Sequence, residues 1–210
     1  MKVASTNIAE IKTIEWRGKE VQTGIYKHPV DTSIFLGKED VEGDHVVDRR
    51  YHGGVDKACY LYAVDHYPFW KEKYPHLDWN YGMFGENLSI EGFDERKINI
   101  GSIYTLGTAT VQISRPRQPC YKLGVRFRNP GVIKEFIASL FSGVYIRVLS
   151  PGNVTKGDKL EIQQEHVNGI SIAELNTLMF HYDPKLHADL LEKAINDPLV
   201  SDSDKKYLKK

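Results

Sequence analysis

The sequence predicts a mainly β fold, a barrel or a sandwich, followed by a small helical appendage. Up to about Gln164 the apolar residues come in short alternating or continuous runs broken by Gly, Pro and Asp, which is how strands read. Thr105-Leu-Gly-Thr108 separates two such runs as a hairpin turn, with Gly107 free to take positive φ. After Glu165 the apolar spacing becomes helical, so the division falls at 1–165 for the β domain and 166–210 for the appendage.

In chain order, strands are expected at 21–26, 58–64, 87–90, 103–106, 109–114, 144–149 and 159–163. Two helices interrupt them. One follows Asp65, with Phe69, Trp70 and Tyr74 on its inner face. The other opens at Asn129-Pro130, an N-cap and first helical residue, and carries Val132, Ile133, Phe136, Ile137, Leu140 and Phe141 at helical spacing up to Gly143. In the appendage, Ser171-Ile-Ala-Glu174 is a capping box, and Ile170 can staple onto Leu175. Asp183-Pro184 starts a second helix with Leu186, Leu190, Leu191 and Ala194, and residues 201–210 form a short third.

With 210 residues, 41% of them hydrophobic and 27% charged, the chain can bury a core without disulfides. Lys+Arg and Asp+Glu stand at 28 each, so no global positive field would hold a nucleic acid, and cationic work must be local. No stretch approaches the roughly 20 apolar residues that span a bilayer, and the N-terminal segment lacks the apolar run of a signal peptide. Two cysteines, Cys59 and Cys120, make neither a secreted disulfide framework nor a four-ligand zinc site, and a cytoplasmic protein with reduced thiols is the expectation. Walker, Gly-x-Ser-x-Gly and Rossmann signatures are absent.

Three segments carry residues whose chemistry exceeds a structural role. In Arg49-Arg-Tyr-His-Gly-Gly-Val-Asp-Lys-Ala58 the paired glycines let backbone approach a ligand and offer amides to an anion, although taken alone the segment reads more simply as a tight turn. In Gly82-Met-Phe-Gly-Glu-Asn-Leu88 the acid and amide, Glu86 and Asn87, can read the polar edge of a heterocycle, or else Asn87 caps a turn and Glu86 is solvated. In Ser114-Arg-Pro-Arg-Gln-Pro-Cys-Tyr-Lys-Leu123 two prolines stiffen a loop that sets Arg115, Arg117 and Lys122 around one thiol. Cationic neighbours favour thiolate, the form that acts as nucleophile or soft-metal ligand, whereas a lone cysteine is otherwise an inert buried residue. Cys59, inside an apolar strand, reads as core.

Together these segments resemble, in order and spacing, the MOSC family, named for the C-terminal domain of molybdenum cofactor sulfurase, and within it the stand-alone bacterial hydroxylaminopurine-resistance branch. The residues that carry the likeness are His52-Gly-Gly-x-Asp-Lys-Ala58, Gly82-x-Phe-Gly-Glu-Asn-Leu88, Ile100-Gly101, Arg115-Pro-Arg-x-Pro-Cys-x-Lys-Leu123, Gly143-Val-Tyr-Ile-Arg-Val-Leu149 and Pro151-Gly-x-Val-x-x-Gly-Asp158. The likeness runs from about residue 15 to 165, and the tail is similar to the three-helix segment of that branch.

The resemblance implies a pyruvate-kinase-barrel-like MOSC β-barrel with peripheral helices and a molybdopterin-type molybdenum cofactor, with Cys120 as molybdenum ligand or sulfur carrier. It implies, too, reduction of N-hydroxylated bases and related compounds to amines. On that reading Arg115, Arg117 and Lys122 offset the cofactor's negative charge. His52, Gly53, Gly54, Asp56 and Lys57 line the opposite wall, and Phe84, Gly85, Glu86 and Asn87 meet the pterin. The sequence holds no flavin, iron–sulfur or haem motif, so a separate reductase must supply electrons. Two rival readings stay open: a sulfur-carrier module with a Cys120 persulfide, which without room for the pyridoxal-phosphate domain of full sulfurases needs a partner, and a barrel that binds a phosphorylated ligand without chemistry. The sequence is silent on oligomeric state.

Overall fold

A computed structural model describes residues 1–209, the side chains of Arg50 and Tyr51 excepted; these and Lys210, which fall in the segments 49–58 and 201–210 singled out above, lie outside the described residues. The strands are β1 (Lys2–Ile8), β2 (Lys12–Trp16), β3 (Lys19–Thr23), β4 (His28–Val30), β5 (Ile34–Leu36), β6 (Cys59–Ala63), β7 (Leu88–Glu91), β8 (Ile103–Leu106), β9 (Ala109–Pro116), β10 (Val144–Ser150), β11 (Gly152–Val154) and β12 (Leu160–Gln164). The helices are α1 (Arg49–His52), α2 (Tyr67–Lys73), α3 (Tyr121–Arg126), α4 (Val132–Ser139), α5 (Ile172–Phe180), α6 (Pro184–Asn196) and α7 (Asp202–Leu208). Among the described residues no helix is long and apolar enough to cross a membrane.

Eight strands form one sheet in the order β12-β8-β9-β10-β6-β7-β1-β4. Every neighbouring pair is antiparallel except β6 and β7, whose parallel pairing needs the crossover that carries α2. The expected barrel is met in part. The domain is sheet-rich, but its ladder stays open, and helix and strand are nearly equal in extent. The reason lies in β1, whose residues 6–8 give one edge to β4. Only the start of β1 is left for the far edge of the sheet, through a single Lys2–Lys159 bridge and bonds such as Leu160 N–H to Met1 O, 3.0 Å.

The middle of the sheet is covered on both faces. In β6 the side-chain period of two sends Cys59, Leu61 and Ala63 into the main core, and Tyr60 and Tyr62 into a second, aromatic cluster. There α2, α3 and α4 bring Trp70, Phe127 and Phe136 onto Phe84 and Tyr62, with the Tyr62 and Phe84 rings stacked at 4.1 Å and Trp70 Nε1 donating to Tyr62 Oη at 2.7 Å. Tyr67, Trp70 and Tyr74 are the inner residues of the α2 region, whereas Phe69, expected inside, is 39% exposed because it lies off that i, i+3, i+7 stripe. Leu186, also expected to pack, is 76% exposed on the first turn of α6.

Five strands, β1, β2, β4, β5 and β11, were not legible as such. In β1 the buried residues include Ser5 and Asn7, bonded to each other and through Asn7 to Ser89, and Thr6, whose hydroxyl donates to Val30 O at 3.1 Å, so the hydrophobic pattern is absent where the burial is complete. The C-terminal helices share the main core through Ile172, Leu175, Leu178, Met179 and Ala194. The capping box forms as expected: Glu174 N–H donates to Ser171 Oγ (3.1 Å) and Ser171 N–H to Glu174 Oε2 (2.7 Å). Two urea titrations check these assignments. Ser171→Ala should lose about 1 kcal/mol, and Phe84→Ala about 3–5 kcal/mol at an unchanged overall fold.

Candidate functional site

The three segments meet at one cleft on the aromatic side of the sheet. Cys120, half-buried, opens α3 immediately after the arginine loop that leaves β9. The cleft has an inner lobe of about 80 Å³ and an outer one of about 330 Å³, the latter at the lower end of the roughly 300–1,000 Å³ usual for small-molecule sites. Asp48, His52, Lys57, Cys120, Lys122 and Tyr145 line both lobes. The thiol therefore sits at their junction.

Of the residues read from sequence, His52, Lys57, Gly85, Asn87, Arg117, Cys120 and Lys122 line the inner lobe, and Arg115 lines the outer. Five others are placed differently. Phe84 is fully buried in the aromatic cluster. Glu86 is equally buried, its carboxylate accepting from Gly82 N–H (2.8 Å), Phe84 N–H (3.0 Å), Tyr67 Oη (2.5 Å) and Ser89 Oγ (2.9 Å), so it fixes a turn and lies outside the lining of both lobes. Asp56 is drawn away by Arg147, whose Nε lies 2.5 Å from its carboxylate, while its carbonyl accepts from Ser114 Oγ at 2.7 Å. Gly53 packs against Arg49, and Gly54 turns the chain at φ +93°, a conformation that favours glycine; neither lines the lobes.

Several wall residues were not read from the sequence. Lys27 and Asp44 form a buried ion pair on the inner lobe, and Asp44 also accepts from Asn87 Nδ2 and Ala9 N–H, both at 3.0 Å. No local motif marks them, since the segments join only in the fold. Gly24 shows how closely: a Cβ there would overlap the His45 carbonyl oxygen. Tyr60 and Tyr145 line the inner lobe under Arg117, whose guanidinium lies 4.9 Å from the Tyr60 ring and donates to the Phe84 carbonyl. Tyr145 did carry a signal, because it alternates with Val144 and Ile146 and so faces away from the core.

The electrostatics are those of a cationic pocket. Burial, then Arg117, Lys122 and Lys57, lowers the His52 pKa to about 4, so its imidazole is neutral at pH 7. Burial, then Arg115, lowers that of Lys57, with Asp204 and Asp56 opposing. Lys27 is lowered by burial against the pull of Asp44. On the other face of β6, Cys59 is 1% exposed, a core residue as expected, and burial pushes its thiol pKa up, which disfavours the thiolate.

Such a site defines a class: a sheet-rich domain that presents one accessible sulfur at the junction of two lobes, with cations gathered around it. The chain belongs to the MOSC domain family, whose profile matches residues 48–161. It is 36% identical to YflK of Bacillus subtilis over 96% of this chain and 90% of that protein. A protein of Gibberella moniliformis named as a reductase is 37% identical over 69% of this chain, which spans 26% of it. Among solved structures, YiiM from Geobacillus stearothermophilus superposes with a TM-score of 0.81 at 32% identity, covering 99% of this chain and 97% of that one.

The donor set fits the group that the family implies. A thiol is a soft ligand suited to a sulfur-bound metal, and Lys57, Arg115, Arg117 and Lys122 suit a phosphate-bearing, anionic partner. The His52 shift has a measurable consequence. The unfolded chain takes up its proton near pH 6.5 and the fold only near 4, so folding expels a proton between these values and stability falls as pH drops through that window. Denaturant titrations from pH 7 to 4 should show a loss that His52→Gln lacks, at most about 3 kcal/mol at roughly 1.4 kcal/mol per unit.

Proposed function

We propose that the cleft holds a molybdenum–pterin cofactor with Cys120 Sγ as a metal ligand, and that the protein reduces N-hydroxylated bases or related compounds to amines. The observation that carries this reading is the placement of Cys120 at the junction of the lobes. The small inner lobe takes the reacting group, and the larger cationic lobe takes the bulk of the cofactor. The relative named as a reductase supports the oxidoreductase class, and membership of the MOSC domain family supports the cofactor.

The net reaction takes R–NHOH, two electrons and two protons to R–NH2 and water. The bound cofactor supplies the two-electron, oxygen-accepting chemistry, and a separate reductase returns the electrons. The protein's part is position and charge. Lys57, Lys122 and Arg115 face the anionic portion, Arg117 holds the inner wall against Tyr60, and Asn87 with the Lys27–Asp44 pair offers hydrogen bonds at the inner lobe. His52, neutral at pH 7 among these cations, meets the ligand as an uncharged hydrogen-bonding imidazole. Electrons therefore enter from a partner protein, with neither nucleic acid nor membrane involved, in the cytoplasm.

The accessible sulfur also suits a carrier of persulfide for another molybdenum enzyme, and one experiment separates the two. Protein made in a cofactor-competent host should contain stoichiometric molybdenum and reduce an N-hydroxylated purine with a chemical reductant. Cys120→Ser should lose both, by at least about a hundredfold in rate if the metal ligand is gone. Cys59→Ser should keep both, per mole of folded protein. Cyanide-labile sulfur without metal would establish the carrier instead, and folded protein with neither would sink both.

A further inference from the structure

The outer lobe has a carboxylate of the chain itself behind its arginine. Asp204 belongs to α7 yet is 0% exposed. Ser201, which caps that helix, accepts from Asp204 N–H at 3.1 Å and donates its hydroxyl to Asp204 Oδ2 at 2.8 Å. Asp204 Oδ1 lies 2.5 Å from Arg115 Nη2 without hydrogen-bond alignment, and Arg115 Nε has no hydrogen-bond partner among the described residues. The remaining Arg115 contact is Nη1 to Ser203 Oγ, 3.2 Å. Both charges have left water, and the close pair lacks the aligned hydrogen bonds that would offset more of that cost.

Anchorage of the tail does not rest on this pair alone. Arg147 already holds Leu199 O with both terminal nitrogens, each at 3.3 Å, and Val200 and Leu208 pack on the main core. What distinguishes Asp204 is its surroundings: Arg115 and Lys57 both act on it, and both line the outer lobe. Burial pushes its carboxyl pKa up while Arg115 opposes the shift, as expected for a buried counter-ion.

We propose that Asp204 is a specificity-determining residue of the outer lobe: an internal carboxylate that holds Arg115 until a ligand phosphate takes its place, so that phosphate binding and docking of α7 compete. This rests on the reading above, in which the lobe receives the cofactor's phosphate. A phosphate can engage the planar guanidinium through two aligned bonds, including the Nε that the carboxylate leaves unpaired. The exchange favours ligands bearing a terminal phosphate over neutral ones of similar shape.

Inorganic phosphate is the probe, titrated calorimetrically into cofactor-free protein, with hydrogen exchange followed at the α7 amides. Asp204→Asn, which keeps a hydrogen-bonding side chain and removes the charge, should bind phosphate about tenfold more tightly, or about 1.4 kcal/mol. In the wild type, saturating phosphate should speed exchange at 204–208 by at least about threefold, while sodium chloride at equal ionic strength should not. Phosphate binding with unchanged or weaker affinity in Asp204→Asn, or with α7 exchange unaltered, overturns the inference and leaves the anion-binding cleft standing. If neither folded protein binds phosphate, the cofactor reading of the lobe falls and takes this one with it. If Asp204→Asn does not fold, the wild-type exchange arm decides alone.

Discussion

A single sealed carboxylate organises the wall on which the cleft depends. Glu86 gathers two backbone amides and two hydroxyls into the turn at 82–89. That turn presents the Phe84 carbonyl to Arg117, brings Gly85 to the inner lobe, and sets Asn87 between Asp44 and the Tyr60 amide. Each donor would be left unpaired without the carboxylate, at about 1–3 kcal/mol for a buried group. The wall of the cleft thus depends on a residue buried behind it.

The second constraint is the alternation of the central strands. Because β6 and β10 are covered on both sides, a shift of one position separates the core from the cleft wall. Cys59 and Tyr60 are neighbours in sequence, yet one is sealed among aliphatic side chains and the other lines the inner lobe. Val144 and Tyr145 repeat the contrast on β10. The two cysteines differ for another reason, Cys59 being fixed in a strand and Cys120 carried beyond one by a loop.

Charge is handled in pairs around the cleft. Lys27 meets Asp44, Arg147 meets Asp56 and Arg115 meets Asp204, each joining segments remote in the chain. Pairs of this kind are weak contributors to stability, because desolvation offsets most of the attraction, but they fix which loops lie together. Arg126 acts similarly through backbone, donating to Ile25 O at 2.6 Å and Lys27 O at 3.2 Å, and so holds the segment that closes the inner lobe.

The sequence by itself determined the strands that alternate, the capped helix at Ser171, and Cys120 in its stiff cationic loop, since periodicity, caps and composition are local properties. It did not mark β1, whose buried residues are polar, nor distinguish the buried Glu86 from the solvated acid that its neighbours suggested. Only the tertiary structure decided that Asp44 faces Lys27, that Asp56 turns to Arg147, and that α7 returns to set Asp204 against Arg115. The physical reason is distance along the chain. A local pattern tells which face a side chain takes, but its partner across a cleft is chosen when remote segments pack, and that choice spreads over the whole core.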